Sequence, residues 1–173
     1  MCCWRWKKSD PKEPDDHALG RSRGGFSTKI HILCDRLGHP LAFQLSGGQA
    51  HESQLLTALL EEGLTDGQGS PVAWPIALAG DKGYRAEWID DDFMELGITP
   101  VIPSKSNEVS DARPCEFDPG YYRDRNIVER LIGWLKESRR ILSRYEKTAA
   151  NYGGMIKLAF IRQYLSYDVK IAF

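Results

Sequence analysis

The order of apolar and polar residues predicts strands in several segments of the chain. Residues 28–34 alternate and are rich in residues that favour strands, residues 35–38 are typical of a turn, and residues 40–46 form a returning strand. Residues 75–80 are a short apolar run typical of a buried parallel strand, and residues 99–102 form another short strand. The chain is therefore expected to combine an antiparallel hairpin with parallel strands.

Apolar residues at helical spacing predict helices in four further segments. These are residues 51–62, 85–96, 122–136 and about 152–169, with the last packing beneath the third. In the second helix, the residues expected to face the core are Trp88, Ile89, Phe93 and Leu96. In the last helix, the apolar positions are Ile156, Leu158, Phe160, Ile161 and Leu165.

This order of elements favours an α/β fold built around a mixed sheet. The order β-β-α-β-α-β-α-α combines a hairpin with crossover units, which predicts an α/β sandwich. Residues 1–19 are polar, contain Pro11 and Pro14, and lack periodicity, so we expect an irregular lead-in. Residues 20–173 are then one domain, because 173 residues with 42% apolar content suffice for one core but hardly for two.

Composition narrows the class of protein. No run of about 18 apolar residues is present and the start lacks the pattern of a secretory signal, so we expect a cytoplasmic protein without a membrane partner. The spacing of the four cysteines predicts reduced thiols rather than a zinc site or disulfides; they are Cys2, Cys3, Cys34 and Cys115. His31 and His51 can contact DNA or orient a carboxylate, but we expect structural histidines with satisfied hydrogen bonds.

Charge is distributed unevenly along the chain. The net charge of −1 and the pI near 6.4 argue against a protein that is basic overall. Residues 121–147 nevertheless hold eight Lys or Arg against four Asp or Glu, and residues 20–30 add Arg21, Arg23 and Lys29 with no acid. Two separate segments can therefore contact phosphates, although basic segments of this kind are often only solvated surface.

Four polar residues of the third predicted helix share one face. The spacing Tyr122-x2-Arg125-x3-Glu129-x6-Lys136 places them within an arc of about 60°, at about 100° per residue. A carboxylate framed by two cations and a phenol can hold a divalent metal and a phosphate together. The alternative is an ordinary amphipathic helix with a solvated face, on which Arg125 and Glu129 form an ion pair worth about 0.2–0.5 kcal/mol.

Asp81 comes directly after the apolar run of residues 75–80. In open α/β sheets, functional groups gather at the carboxyl ends of strands. Gly80 and Gly83 allow backbone or phosphate to approach closely. The alternative is that residues 80–83 are only a turn made of residues that suit one.

Four motifs follow one another along the chain. Residues 20–25 read GRSRGG with TKIH at 28–31, residues 47–52 read GGQAHE, and residues 79–84 read AGDKGY, followed by the Tyr-Arg-Glu-Lys stripe. Together they resemble DDE-type transposases of bacterial insertion sequences, and more narrowly the group named for insertion sequence five. The resemblance runs from about Pro14 to Tyr164, and four ordered motifs are far more specific than any one of them.

The resemblance implies a ribonuclease-H-like fold, with a mixed sheet flanked by helices. By match of motif, Asp81 is the second acid of a catalytic triad and Glu129 the third, and the complete enzyme would bind two Mg or Mn ions. The activity implied is metal-dependent cleavage and strand transfer in DNA transposition. The substrates implied are double-stranded DNA of the element ends and of the target.

The resemblance also implies DNA contacts around these acids. Lys136 and Arg125 would hold phosphates near the cut, and Tyr122 would stack on DNA or bind a phosphate there. The full set of predicted DNA-binding residues is Tyr122, Arg125, Lys136, Arg21, Arg23, Lys82 and Arg139.

One part of the family pattern is missing from its expected place. In the family, the first Asp of the triad ends the first strand, upstream of the segment that matches residues 20–25, so we expect it to lie before Met1. Asp10, Asp15 and Asp16 lie in a Pro-rich irregular segment rather than at the end of an apolar strand. The chain is therefore expected to be N-terminally incomplete, to lack its first central strand, and to be inactive or impaired alone.

Two other function classes stay open. A non-catalytic DNA-binding remnant would keep the Arg and Lys surface and act by occupying element ends or by pairing with a full-length transposase or an upstream gene product. A general nuclease can share the same fold. Metal-dependent cleavage separates binding from catalysis, and strand transfer into a second DNA separates a transposase from a nuclease.

Overall fold

An antiparallel sheet is built from the first strands of the chain. The computed structural model describes residues 17–65, 68, 70, 72, 74–106, 108 and 116–170. The strands β1 (Gly20–Ser22), β2 (Gly25–Cys34) and β3 (Pro40–Gly47) lie in the order β1-β2-β3. The predicted hairpin is confirmed by the pairing of β2 with β3. Strand β1 had no sequence signal, because it is only three residues long and lies among glycines.

The turn between β2 and β3 is fixed by one side chain. The Asp35 carboxylate accepts hydrogen bonds from the backbone N–H groups of Leu37, at 2.9 Å, and His39, at 2.8 Å. Gly38 has a φ of 89°, a conformation that costs little only for glycine. The residues that predicted this turn are therefore the ones that form it.

The segment after β3 is helical. A 3-10 helix at Glu52–Leu55 leads directly into α1 (Leu56–Gly63). The helix predicted for residues 51–62 is therefore present, with a tighter first turn. Leu56, Leu59 and Leu60 are its buried residues and form the stripe that faces the core.

A second sheet is parallel and has two described strands. β4 (Ala77–Ala79) pairs in parallel with β5 (Thr99–Val101), and a 3-10 helix at Lys82–Tyr84 and then α2 (Glu87–Glu95) cross between them. Both predicted strands are confirmed. The described strands do not form the single mixed sheet that was expected, because no described strand joins β2 to β4.

The first core packs α1 and α2 onto the two sheets. Its buried residues are Leu33, Ala42, Leu56, Leu59, Leu60, Ile89, Phe93, Ile98 and Ile102. Ile89 and Phe93 are inward as predicted, whereas the inward orientation of Trp88 and Leu96 is wrong, since these side chains are 43% and 42% exposed. Trp88 lies about 100° around the helix from Ile89, and Leu96 lies beyond the end of α2.

The third predicted helix is not continuous. It consists of α3 (Pro119–Arg123) and α4 (Asn126–Glu137). Between them, the N–H groups of Asp124, Arg125 and Ile127 donate to carbonyls three residues earlier, at 3.1, 3.1 and 2.9 Å. These 3-10-type bonds tighten the backbone between the two helices.

The second core lies beneath α4. It joins α4 to α5 (Arg139–Leu142) and α6 (Ala149–Lys170), and its buried residues are Leu131, Leu135, Ile141, Tyr152, Ile156 and Phe160. Trp134 packs against this cluster. Three apolar residues predicted for the packed face of α6 are instead 54–59% exposed: Leu158, Ile161 and Leu165. The four-residue step from Ile156 to Phe160 sets the buried stripe of α6, and these residues lie off it.

Some predictions concern residues outside those described. Residues 1–16 of the predicted lead-in are among them, and residues 17–19 contain neither helix nor strand. Cys34 is a free thiol, as predicted, and burial raises its pKa to about 11. None of the helices in the described part of the chain is long and apolar enough to span a membrane.

Candidate active site

A cleft of about 530 Å³ opens between β2, β4 and α4. We call it the central cleft. Its lining includes β2 residues 28–33, Leu78 and Ala79 from β4, and Val128 and Ile132 from α4, and most of these residues are apolar. Its charged and polar lining residues are Lys29, His31, Glu52, Asp81, Tyr84, Arg125, Glu129 and Lys136. Both predicted catalytic acids therefore line the same cleft.

Asp81 lies at the carboxyl end of β4. The contact between the chain and β5 continues through Gly80, whose N–H donates to the carbonyl of Val101 at 3.2 Å. Asp81 then caps the 3-10 helix at Lys82–Tyr84, and its Oδ1 accepts from the N–H of Lys82 at 2.6 Å. Asp81 is exposed. Its carboxylate is thus held at one oxygen and open to solvent.

Glu129 lies in the first turn of α4, where the helix dipole favours a negative charge. Its Oε1 accepts from Nη1 of Arg125 at 2.7 Å, and the two side chains are 53% and 26% exposed. The ion pair that the sequence offered as the alternative to a metal and phosphate site is therefore present. An exposed pair of this kind contributes about 0–1 kcal/mol, so a divalent cation or a phosphate can compete for either partner.

Arg125 is also held by an aromatic ring. Its Cζ lies 5.3 Å from the ring centroid of Tyr122, and the Tyr122 ring lies 5.2 Å from that of Phe117. Tyr122 belongs to α3 and does not line the central cleft. The four residues predicted on one helix are therefore divided between two helices, and Arg125, Glu129 and Lys136 line the cleft whereas Tyr122 does not.

The remaining predicted DNA-binding residues fall into two groups. Lys136, in the last turn of α4, lines the cleft and is exposed. Four others are exposed but do not line it: Lys82, Arg139, Arg21 and Arg23. Arg21 lies on β1 and Arg23 in the turn after it, where β1 and β2 form a short hairpin.

Four further polar residues of the cleft were not among the predicted site residues. Lys29 and His31 alternate along β2 and therefore share one face of the strand, and both line the cleft. Glu52 and Tyr84 come from the two 3-10 helices. All four lie within the motifs of the resemblance, but a motif does not say where a side chain lies.

Burial and charge shift the protonation of three of these groups. Burial lowers the pKa of His31 and raises that of Tyr84 to about 12, to which the charges of Glu52 and Asp81 also contribute. Burial alone would raise the pKa of Glu52, but the hydrogen bond and charge of Lys29 outweigh it and lower that pKa. At neutral pH the wall therefore contains a neutral phenol, an ionised Glu52 and a His31 that burial keeps from gaining a proton.

The carboxylates of the cleft suit a hard cation. Asp81 and Glu129 offer the oxygen ligands that Mg and Mn prefer. Within the described ranges, no group of three or more His, Cys, Asp or Glu side chains is placed to hold a metal ion. The chemistry of the two donors fits a divalent metal, but the described residues do not complete a ligand set.

The fold and cleft define a mixed α/β protein with two carboxylates beside cations. The chain belongs to the transposase DDE domain family, whose profile matches residues 3–163. Members of this family act on DNA and use divalent metal ions. The predicted resemblance to DDE transposases of insertion sequences is therefore confirmed, while the narrower group named for insertion sequence five stays a prediction.

Two relatives agree with this family. The chain is 31% identical over 160 residues to a protein of Burkholderia cepacia named as a transposase for insertion sequence element IS402, covering 90% of this chain and 67% of that protein. It is 29% identical over 133 residues to a protein of Brucella ovis named as a transposase for IS6501, covering 77% and 94%. No solved structure matches the chain.

Proposed function

We propose that the central cleft is the site of metal-dependent DNA cleavage and strand transfer in transposition, with Asp81 and Glu129 as two of its carboxylates. The observation that supports this proposal is that both acids line one cleft together with Arg125 and Lys136. Acids and cations at one site can hold divalent metal and phosphate side by side. If the ion pair of Arg125 with Glu129 had only a structural role, Asp81 would not need to line the same cleft.

Each residue has a distinct role in this proposal. Asp81 and Glu129 hold Mg or Mn, and two bound ions supply activation of water or a 3′-hydroxyl and stabilisation of the leaving oxygen. Arg125 and Lys136 hold phosphates next to the cut. Tyr122 orients Arg125 through ring contact. It can also contact DNA, because it is only half-buried.

A third carboxylate is part of the proposal and would come from a strand seated in the cleft. Among the described strands, residues 28–34 of β2 pair on one side, with β3, and β4 pairs on one side, with β5. Unpaired strand edges are templates for an added strand. A strand ending in Asp and placed between β2 and β4 would join the two sheets into the ribonuclease-H-like mixed sheet expected from the resemblance.

The outer cations would extend the DNA path. Lys82 follows Asp81 and Arg139 begins α5, two residues after α4 ends, so both lie next to elements that carry the cleft. Arg21 and Arg23 lie on the first hairpin and are exposed. We propose that these residues contact phosphates farther from the cut, and that residues 20–173 act as one catalytic domain.

Nicking of the terminal DNA of the encoding element tests the catalytic proposal. We would compare this chain, the same chain extended upstream by an apolar strand ending in Asp, and extended chains carrying Asp81→Ala or Glu129→Gln. The extended chain is expected to nick DNA with Mg or Mn, and the short chain to be slower by orders of magnitude, because a missing ligand misplaces the nucleophile. Both extended variants should lose the activity.

The control is Asp91→Asn in the extended chain, because Asp91 is an exposed acid of α2 away from the cleft. It should cut normally. If the short chain cuts as fast as the extended one, the proposed third carboxylate is wrong. If the extended chain binds DNA without cutting it, the protein is a non-catalytic DNA-binding protein. The incomplete set of metal ligands among the described residues favours this alternative.

DNA binding as a function of salt tests the proposed phosphate contacts. The slope of log K against log salt should become shallower by about 0.9 for each phosphate contact removed. Arg125→Gln and Lys136→Gln are expected to show this change. Lys157→Gln, which removes an exposed cation from α6, should retain the slope of the unmodified chain. Equal slopes in all four proteins would exclude Arg125 and Lys136 as phosphate ligands.

A further inference from the structure

The turn that carries Asp81 is short and has little support of its own. Two backbone bonds close it, from the N–H of Tyr84 to the carbonyl of Asp81, at 2.9 Å, and from the N–H of Arg85 to the carbonyl of Lys82, at 3.1 Å. Residues 81–83 are exposed. One 3-10 turn of this kind is weak by itself, because 3-10 hydrogen bonds have poor geometry. Its position must therefore be set by contacts from other elements.

The first of these contacts comes from β2. The hydroxyl of Tyr84 lies 2.8 Å from Nδ1 of His31, and Nε2 of His31 lies 2.9 Å from Oγ of Ser46. His31 is 3% exposed and Ser46 is 8% exposed. A hydrogen bond between buried partners is expensive to lose, because the remaining partner stays desolvated. This chain of bonds fixes the end of the turn to the hairpin.

The second contact comes from the 3-10 helix at Glu52–Leu55. Lys29 donates to Oε1 of Glu52 at 2.6 Å and to the carbonyl of Ala50 at 2.8 Å. The carboxyl group of Glu52 lies against Gly83, where an added Cβ would be 3.0 Å from both Cδ and Oε2. Lys29 thus holds Glu52 against the middle of the turn, and glycine at position 83 leaves room for it.

We propose that Lys29, His31, Glu52 and Tyr84 form a positioning network that holds the turn of residues 81–84 so that the Asp81 carboxylate faces the central cleft. The role of Asp81 in this proposal rests on the proposed function, whereas the effect of the four residues on the turn does not depend on it. None of the four residues is assigned to substrate or metal. We call this set the turn network.

The alternative role for Glu52 is that of a third metal ligand in the cleft. Its surroundings oppose this role, because Lys29 engages Oε1 and Oε2 lies against Gly83. The Lys29 ammonium beside this carboxylate repels a second cation, so a metal ion there would have to compete with the ion pair. The positioning role predicts that loss of Glu52 loosens the turn, whereas the ligand role predicts loss of metal binding with an unchanged turn.

Amide exchange of Tyr84 and Arg85, followed by NMR, measures the turn directly. Tyr84→Phe removes one hydroxyl and keeps the ring. The double variant of Lys29→Met with Glu52→Gln removes the ion pair without changing net charge. Both proteins are expected to exchange these two amides about two- to tenfold faster, the range for loss of one hydrogen bond. Mn²⁺ affinity, measured by electron paramagnetic resonance, should weaken by a similar factor.

Two matched variants serve as controls. Tyr145→Phe removes the hydroxyl of a ring that is 63% exposed, and Glu61→Gln neutralises an exposed acid of α1. Both should leave exchange of the turn and Mn²⁺ affinity unchanged. The proposal is overturned if Tyr84→Phe and the double variant exchange like these controls. It is also overturned if Mn²⁺ affinity falls while exchange stays the same, because Glu52 would then be a ligand.

Failure of the proposed function gives a different result. If the unmodified chain and its Asp81→Asn variant bind Mn²⁺ equally, Asp81 is not a metal ligand and the proposed site is wrong. Exchange of the Tyr84 and Arg85 amides then decides the turn network by itself. Faster exchange in the two test proteins supports the network, and unchanged exchange rejects it.

Discussion

Replacement of Arg85 by methionine is expected to be strongly destabilising. Arg85 is 7% exposed and makes an ion pair with Asp90, which is 2% exposed, at 2.9 Å. It also makes an ion pair at 2.8 Å with Glu108, whose side chain is 27% exposed. The arginine thus joins the end of the Asp81 turn to α2 and to the segment after β5.

The size of the effect follows from the burial of each partner. Removal of one partner from a buried ion pair costs about 3–5 kcal/mol, since the other charge stays in a region that water does not reach. The partly exposed pair with Glu108 adds about 0–1 kcal/mol. Loss of the Asp90 partner therefore dominates. Arg85→Met is expected to lower the free energy of unfolding by about 3–5 kcal/mol.

Urea unfolding followed by circular dichroism measures this change. The control is Lys157→Met, an exposed change expected to stay within about 0.5 kcal/mol. Arg85→Met combined with Asp90→Leu should recover most of the loss, because an apolar pair can replace a buried ion pair at little cost. A single-variant loss below about 1 kcal/mol, or a double variant as unstable as the single one, would refute the reasoning.

Three further predictions use the same unfolding measurement. Ile156→Ala should cost about 2–5 kcal/mol, because Ile156 is fully buried in the second core. Gly63→Ala should lower the free energy of unfolding by about 1–3 kcal/mol, because the added Cβ would lie 2.6 Å from Cδ2 of Leu33. The higher helix propensity of alanine offsets at most about 1 kcal/mol of this loss. For either variant, a loss below about 0.5 kcal/mol would contradict the estimate. Burial holds the pKa of His31 in the folded protein below the ordinary value of 6.5. The neutral His31 side chain therefore stabilises the fold above pH 6.5, and this stabilisation is lost as the pH falls through the lower pKa of the folded protein. His31→Gln should therefore flatten the pH dependence of the free energy of unfolding between about pH 8 and pH 5.

The sequence predicted most helices and strands because their signals are local. Alternation at residues 28–34 and the turn residues at 35–38 gave the hairpin, and the apolar run ending before Asp81 gave the parallel strand. The break between α3 and α4 could not be predicted this way. Helical periodicity tolerates a 3-10 turn, so a spacing argument cannot detect where α3 ends and α4 begins.

The candidate site was predictable as a set of motifs but not as a surface. Asp81 and Glu129 were found through the strand end and the helix spacing, and both line the central cleft. Lys29 and Tyr84 were not proposed, because their roles depend on partners 23 and 53 residues away in the chain, Glu52 and His31. Contacts across such separations leave no periodic signal.

The sequence by itself determined the family and predicted Asp81, Glu129 and the elements that carry them, because motifs, strand ends and helical spacing are properties of neighbouring residues. Only the tertiary structure decided that β2 and β4 face one cleft and stay unjoined among the described strands. It also decided which apolar residues of α2 and α6 are buried. The physical reason is that burial and convergence depend on which surfaces meet, and a local pattern fixes the faces of an element but not its neighbours.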